Sequence, residues 1–291
     1  MKQEVGNTVI QHAKSGDPKI TFITVCYKTP NLIRLLLKGF ESADIQFPYE
    51  YYLVDNAPGD GTGKMVRELF PWVNVIETPK NIGFGAGNNY ALRRSRGEYV
   101  MLVNPDLVIF AGELEKMVSF LDEHPDVGLI GPKLFNPDQT HQYSCYRFPS
   151  PLIPLYRRTP LGLTPWGRRA VKYYLMHEDL KRDQAIEVDA LMGSALMMRR
   201  KVLDEIGHFD ENFFMYFEEV DICRRAWKYN WRVVYVPHAR LVHYHARDSL
   251  ISKPWQIITH KLTRKHIASA VYYFWKYRGT QNPHNETRPV L

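Results

Sequence analysis

Cysteine is scarce in this 291-residue chain: Cys26, Cys145 and Cys223 are far apart and odd in number. With no C-x-x-C pair, neither a disulfide framework nor a zinc knuckle is expected, and a reducing cytoplasm fits. Long apolar runs are missing too. No stretch of about 18 apolar residues is present, so no transmembrane helix is expected. Met1 to Lys19 lacks the apolar core of a secretory signal and reads as a polar lead-in. There is no Gly-Lys-Ser/Thr, hence no P-loop. The one glycine-rich candidate for a dinucleotide site, Gly83-Phe84-Gly85-Ala86-Gly87, follows Asn81 rather than a strong strand. It reads as a flexible loop capping a helix at Tyr90. No internal repeats are evident.

What is present is an ordinary globular composition, 45% hydrophobic and 24% charged, with enough apolar material to bury a core. Net charge is +7. That suits an anionic partner, whether phosphorylated substrate, nucleic acid or acidic membrane face, without choosing among them.

Along the chain, short β-branched and apolar runs alternate with helical patterns. Lys19 to Tyr27, Tyr49 to Val54, Val73 to Glu77 and Tyr99 to Val103 read as strands. Helices are expected from Thr29-Pro30-Asn31 onward (Leu32, Leu35, Leu36, Gly39 and Phe40 at helical spacing), over Lys64 to Phe70, and over Tyr90 to Ser95. Such alternation predicts a parallel, doubly wound sheet. A helix to Glu123 and a strand over Val127 to Ile130 follow. From Asn136 to about Tyr174 the pattern breaks, and six prolines argue against long regular elements. Arg157, Arg158, Arg168, Arg169 and Lys172 are interleaved there with Tyr156, Trp166, Tyr173 and Tyr174, which suggests a mobile binding loop or an interfacial segment. Glu187 to Arg199 reads as one strand, Lys201 to Ile206 as a helix, and Val220, Cys223 and Trp227 as one helix face. Trp231 to Val236 and Ala239 to His245 are extended. From Pro254 the chain is helical and basic.

Three groups of residues can carry chemistry. The first is the set of polar strand ends: Thr24 to Tyr27, Asp55-Asn56 and Asn104-Pro105-Asp106. Ligands of open α/β sheets bind beyond the carboxyl ends of parallel strands, so these ends would line a nucleotide-sized crevice. Asp106 by itself could equally cap the following helix. The second is Glu218-Glu219-Val220-Asp221, adjacent carboxylates beside Phe213, Phe214, Tyr216 and Phe217. Mutual repulsion and desolvation raise carboxyl pKa values and make a general base; acids also favour helix N-termini. Arg224 and Arg225 could pair with them. The third is His238, His243 and His245, surface histidines or a single ligand completing an oxygen-rich Mg²⁺ or Mn²⁺ site with Asp106.

These residues form an ordered set of motifs: Val54-Asp55-Asn56; Asn81-x-Gly83-Phe84-x-x-Gly87-Asn88-Asn89; Leu102-Val103-Asn104-Pro105-Asp106; Gly193-Ser194; Gly207-x-Phe209-Asp210-Glu211-x-Phe213-Phe214; Tyr216-x-Glu218-Glu219-Val220-Asp221-x-Cys223-x-Arg225; and Pro237-x-Ala239-x-Leu241-Val242-His243. Over Ile20 to Ser249 the chain resembles the inverting glycosyltransferases of family 2, closest to their bacterial rhamnosyltransferase-like branch. The resemblance implies an α/β fold of GT-A type: a mostly parallel doubly wound sheet with flanking helices and a C-terminal helical extension. It implies a lead-in at 1–19 and a catalytic domain at 20–250, with a nucleotide-sugar half (20–135) and an acceptor and catalytic half (136–250). A basic amphipathic helical segment would follow at 251–291.

The implied activity is metal-dependent transfer of a sugar, L-rhamnose from dTDP-rhamnose in the first instance and a UDP-sugar next, to a glycan or lipid-linked glycan hydroxyl in bacterial surface polysaccharide synthesis. Thr24, Tyr27, Asp55, Asn56, Asn81, Gly83, Asn88 and Asn104 would hold the donor. Asp106 would bind Mn²⁺ or Mg²⁺ with His243, His245 being the alternative. Glu219 would be the base, Glu218 its alternative, with Asp221 and Arg225 in the same catalytic group. Asp189, Ala190, Gly193 and Ser194 would line the acceptor site. Four departures stand out, the first being Glu219 where relatives often have Asp, which leaves Glu218 open as the base. Lys28 replaces a usual Asn, Ala190 a usual Trp, and Ala246-Arg247-Asp248 the glycines after the histidine. The expected location is the cytoplasm, with peripheral contact to an anionic inner-membrane face through Arg157 to Tyr174 and the basic C-terminal helix, and no nucleic acid partner. The alternatives are a sugar-phosphate nucleotidyltransferase, which would want a glycine-rich basic loop where Lys28-Thr29-Pro30 stands, and a nucleic-acid-binding protein, which would have no use for the acidic cluster.

Overall fold

The computed structural model describes residues 17–181, 183–244 and 261–286. Strands β1 (Ile20–Cys26), β2 (Tyr49–Asp55), β3 (Asn74–Glu77) and β4 (Tyr99–Val103) alternate with helices α1 (Pro30–Ser42), α2 (Thr62–Leu69) and α3 (Phe84–Leu92). These four strands pair in the order β3-β2-β1-β4, all parallel. Next come β5 (Leu107–Val108), α4 (Glu113–Glu123), β6 (Val127–Phe135), β7 (His141–Gln142), β8 (Cys145–Tyr146), α5 (Leu152–Arg158) and α6 (Pro165–Tyr174). The chain continues through β9 (Ile186–Glu187), β10 (Ala190–Leu191), β11 (Ala195–Arg199), α7 (Arg200–Ile206), α8 (Glu218–Lys228) and β12 (Arg232–His243). Helices α9 (Lys261–Lys276) and α10 (Pro283–Glu286) follow. The sheet extends in the order β4-β11-β6-β12-β5, with β11 antiparallel to both neighbours and β12 parallel to β6. β8 and β10 form a separate antiparallel pair.

The unbroken apolar run of β4 is explained by burial on both sides. Tyr99, Met101 and Val103 join a core with Ile33, Leu36, Leu37 and Phe40 of α1 and Leu114, Met117 and Leu121 of α4. Val100 and Leu102 point the other way, to Leu203 of α7, Val220, Cys223 and Trp227 of α8, and Tyr273 of α9. Successive side chains alternate faces along a strand, so one strand serves both cores. Val220, Cys223 and Trp227 are buried as their spacing predicted. The apolar face of α1 is Ile33, Leu36, Leu37 and Phe40; Leu35, expected on it, is 66% exposed.

Several elements differ from expectation. The glycine-rich stretch is not a flexible loop: Phe84–Leu92 is helical. Glycine permits this because α3 lies on β1, where a Cβ at Gly87 would meet Val25 Cγ1 at 2.9 Å. The region from Asn136 to Tyr174 is not structureless. Pro165 takes the first position of α6, where its missing N–H costs nothing, and the Thr164 side chain accepts a hydrogen bond from Gly167 N. The strand expected over Glu187 to Arg199 is three short ones, turning at Met192–Ser194. The two extended pieces near residue 240 are one strand, irregular between Val236 and Arg240. Ile257 and Ile258, expected in the C-terminal helix, lie outside the described residues.

Met101 is fully buried in the central strand. Met101→Ala should cost about 2–5 kcal/mol, seen as a lower urea midpoint with unchanged slope.

Candidate active site

The end of β4 is where the two halves of the sheet meet. Asn104 N donates to Ser194 O at 2.9 Å, prolonging the β4–β11 pairing beyond Val103 and Ala195. The chain then turns at Pro105, and Leu107–Val108 pairs with the end of β12, with His243 opposite Leu107. Asp106 therefore does not cap a helix. Its backbone carbonyl accepts from Tyr244 N, and its Oδ1 lies 3.1 Å from His243 Nε2.

The other ring nitrogen of His243, Nδ1, is 2.9 Å from Gln142 Oε1. That oxygen can only accept, so Nδ1 carries the proton, and in the neutral ring Nε2 presents a lone pair towards the Asp106 carboxylate. Two electron-rich atoms at this separation are complementary to a positive charge, and a backing acceptor on the second nitrogen is the usual arrangement for a metal-ligating histidine. The pair thus fits a divalent cation. Among the described residues no group of three or more His, Cys, Asp or Glu side chains is placed to hold a metal ion, so a cation at this corner would take Asp106 and His243 from the protein and other ligands from outside it. His245 lies outside the described residues.

On one side of this corner is an open basin of about 340 Å³ lined by Tyr27, Lys28, Asn56 to Asp60 and Asn81. Tyr27 offers a half-exposed ring to it. The strand ends are otherwise more internally committed than the sequence suggested. Thr24 is fully buried, its hydroxyl 2.6 Å from Tyr51 OH and donating to Val103 O, so it ties β1 to β4 instead of facing a ligand. Asp55 accepts from Ala57 N and Gly63 N, bracing the turn into α2, and burial raises its pKa. Asn56 accepts from Thr78 and Ile82 N and donates to Gly83 O and Asn81 Oδ1, while Asn81 accepts from Gly83 N. Gly83 has a φ of +95°, and a Cβ there would meet Phe214 O at 2.3 Å. That close approach lets Phe84 N donate to Phe214 O, joining the start of α3 to the segment before α8. Asn88 is buried and donates to Phe84 O.

On the other side is the first turn of α8. Tyr216 and Phe217 both hold left-handed backbone, φ +69° and +70°, a costly conformation for aromatic residues that recurs at functional sites. It delivers Glu218 and Glu219 together. Glu218 is 3% exposed and its Oε2 has no hydrogen-bond partner among the described residues; desolvation, with the neighbouring Glu219, raises its pKa well above the ordinary glutamate value. Glu219 is half-buried, and desolvation lifts its pKa to about 7. It packs beside Gly193, where a Cβ would come within 3.5 Å of both Glu219 Cβ and Phe84 Cε1. Gly193, Ser194 and Asn104 thus link Glu219 to Asp106 across the strand ends.

Four predicted residues play other parts. Asp221 is fully buried and accepts from Arg225 Nε, Lys276 Nζ and Tyr277 OH, at 2.9, 2.5 and 2.7 Å. Arg225 also donates to the carbonyls of Ile206, Gly207 and His208. Both hold α8 in place instead of facing the cleft. Asp189 is buried against His284 Nδ1 at 2.6 Å and accepts from Phe148 N, and Ala190 is fully buried in β10, so neither faces an acceptor. The residues that sequence reasoning missed are Gln142, Lys276 and Tyr277. No local signal marks them, since each works on a residue tens of positions away.

The fold is that of the GT-A glycosyltransferases. The structure matches the Pyrobaculum calidifontis mannosyltransferase PcManGT, solved with GDP-Man and Mn²⁺, at a TM-score of 0.55 and 18% identity, covering 94% of this chain and 79% of that one. It matches GalNAc-T7, solved with UDP, GalNAc and Mn²⁺, at 0.57 and 12%, covering 79% of this chain but 44% of that one. Residues 21–207 match the model of glycosyl transferase family 2, and residues 167–274 that of glycosyl transferase family group 2. The chain belongs to glycosyl transferase family 2. It is 30% identical over 213 residues to the N-acetylglucosaminyl-diphospho-decaprenol L-rhamnosyltransferase of Mycobacterium tuberculosis, covering 69% of this chain and 68% of that one. It is 28% identical over 211 residues to the rhamnosyltransferase WbbL of Escherichia coli K12, covering 69% and 73%. It is therefore a glycosyltransferase, and the nucleotidyltransferase and nucleic-acid-binding readings fall away. No helix among the described residues is long and apolar enough to cross a membrane.

Removing the Lys276 ammonium leaves a buried carboxylate short of a partner, so Lys276→Met should cost on the order of 2 kcal/mol. In chemical denaturation the Asp221→Asn/Lys276→Met double variant should lose less than the sum of the single losses.

Proposed function

We propose that this enzyme is a metal-dependent inverting glycosyltransferase that moves L-rhamnose from dTDP-rhamnose to a hydroxyl of a lipid-linked glycan in surface polysaccharide synthesis. The observation that carries the reading is the placement of Glu219, a half-buried carboxyl with a pKa of about 7, on one side of the Asn104–Asp106 corner, with the donor-sized basin on the other. The rhamnosyl group is supported by the names of both the mycobacterial and the Escherichia coli relatives, and the lipid diphosphate acceptor by the name of the mycobacterial one.

Tyr27 offers an aromatic face to the nucleotide base, and the Lys28 ammonium is set for phosphate. Asp106 and His243 would hold the divalent cation, which supplies charge neutralisation for the departing diphosphate. Glu219 takes the proton of the acceptor hydroxyl as that oxygen forms its bond to the anomeric carbon. The bond from that carbon to the diphosphate oxygen breaks on the opposite face, and configuration inverts. A base near pKa 7 is half-ionised at neutral pH and strong enough to assist the transfer.

A panel of nucleotide sugars with Mn²⁺ should give nucleoside diphosphate release with the dTDP- or a UDP-sugar; release from no donor, with or without acceptor, would sink this reading. Glu219→Gln should lower transfer by about 10²–10⁴-fold while leaving calorimetric donor binding intact. Asp106→Ala should impair both. If Glu218→Gln is inactive and Glu219→Gln active, the base is misassigned.

Transfer should rise with pH up to about 7 and level off as Glu219 ionises. The same raised pKa has the opposite sign for stability. Between the ordinary glutamate value and about 7 the folded chain holds a proton that the unfolded chain releases, so this contribution falls as pH rises through that window. Glu219→Gln should flatten that part of the stability profile.

A further inference from the structure

We infer that the α5–α6 hairpin is a docking surface for an anionic phospholipid bilayer, which holds the enzyme where a membrane-borne acceptor reaches Glu219. The inference rests on the acceptor class proposed above and adds to it the surface that meets the lipid.

Leu161, Leu163 and Trp166 cluster at the turn between the two helices and are 45%, 68% and 64% exposed. Leu152 and Leu155 on α5 are exposed as well. None of these five belongs to the small core beneath the hairpin, which is built from Tyr146, Ile153 and Tyr174 with Tyr156, Ala170 and Met192 packed against it. The apolar side chains of the turn therefore lie outside the hairpin's core and are held out towards solvent. Thr164 and Pro165 stiffen the turn by starting α6 there, with Thr164 Oγ1 accepting from Gly167 N and donating to Leu161 O.

Charge names the occupant. From Arg147 to His177 the sequence has no Asp or Glu. Arg157 on α5 and Arg168, Arg169 and Lys172 on α6 are all exposed on the hairpin that carries the apolar turn. Leu and Trp side chains ringed by Arg and Lys suit the boundary between acyl chains and anionic headgroups. A partner protein's apolar groove would satisfy the leucines but not four cations without a matching acidic rim. A bilayer rich in anionic lipid satisfies both at once, through its surface potential.

The hairpin also leads to the proposed base. Tyr146 and Tyr174 stack at 5.3 Å between centroids and 8° between planes, and the Glu219 carboxylate is close enough to act on both phenols. Met192, packed on the same small core, precedes Gly193, where an added Cβ would meet the Glu219 side chain. A bilayer seated on the turn is thereby connected to the acceptor side of the cleft by one packed wall.

The experiment is flotation of the full chain with vesicles of phosphatidylglycerol and phosphatidylcholine, or of phosphatidylcholine alone, at low and high salt. Each sample is assayed in parallel for donor turnover with a water-soluble acceptor. Wild-type protein should float with the anionic vesicles at least tenfold more than with the neutral ones, and high salt should weaken this. The exposed-site variants Leu163→Asp/Trp166→Asp and Arg168→Glu/Arg169→Glu should each lose tenfold or more of the binding, with melting temperature and soluble-acceptor turnover unchanged. Equal flotation of wild type and both variants would overturn the inference. So would a vesicle-free dimer that the Leu163→Asp/Trp166→Asp variant abolishes, because the turn would then be an interface between copies. Vesicle binding without turnover of any donor would leave the docking surface standing and refute the proposed function. Turnover without vesicle binding would do the reverse.

Discussion

Burial of the central strand on both faces is the constraint from which the rest of the architecture follows. β4 has a parallel neighbour, β1, and an antiparallel one, β11, and its side chains fill two separate cores. Such a strand can acquire polar residues only where it leaves the sheet. It does so at Asn104-Pro105-Asp106, so the polar corner is pinned between the parallel half of the sheet and a mixed half, whose antiparallel strand β11 follows Gly193 and Ser194. Displacing the strand by one residue would exchange the two cores, which is why the corner is held so firmly.

The second half of the chain supplies what that corner lacks. A two-residue strand, β5, sets Asp106 across from His243, and Gln142 orients the ring from behind. The acidic turn of α8 arrives from another direction and is fixed by charge. Asp221, fully buried, gathers Arg225, Lys276 and Tyr277, and Asp210 shares Lys276. The C-terminal helix thus grips the helix that carries Glu219. Removing a buried charge's partners is costly, so the latch gives α8 one orientation and the proposed base one position.

Much of the parallel half was legible because doubly buried strands leave continuous apolar runs, as Tyr99 to Val103 does. The second half was less so. The prolines between Asn136 and Tyr174 read as breakers, yet Pro165 stands at the one helical position where proline is favourable. Gly85 and Gly87 read as loop residues, yet they let α3 lie against Val25 and Phe209. Thr24 and Asp55, expected to hold the donor, and Asp189, expected to line the acceptor site, are instead bonded within the fold. Their partners, Val103 O, Gly63 N and His284, are remote in sequence, and so their internal commitments were hidden.

The sequence by itself determined the residue types at the strand ends, the alternation that makes the sheet, and a motif order specific enough to indicate family 2. Only the tertiary structure decided which side chains share a space. Glu218 and Glu219 are adjacent in sequence, but consecutive helical residues point about 100° apart. One is driven into the core, where burial raises its pKa, and the other opens towards Gly193. Asp106 and His243 meet only because two short strands pair at a sheet edge. Burial and proximity are properties of packing, and the packing that sets them here runs between residues whose order along the chain carries no trace of it.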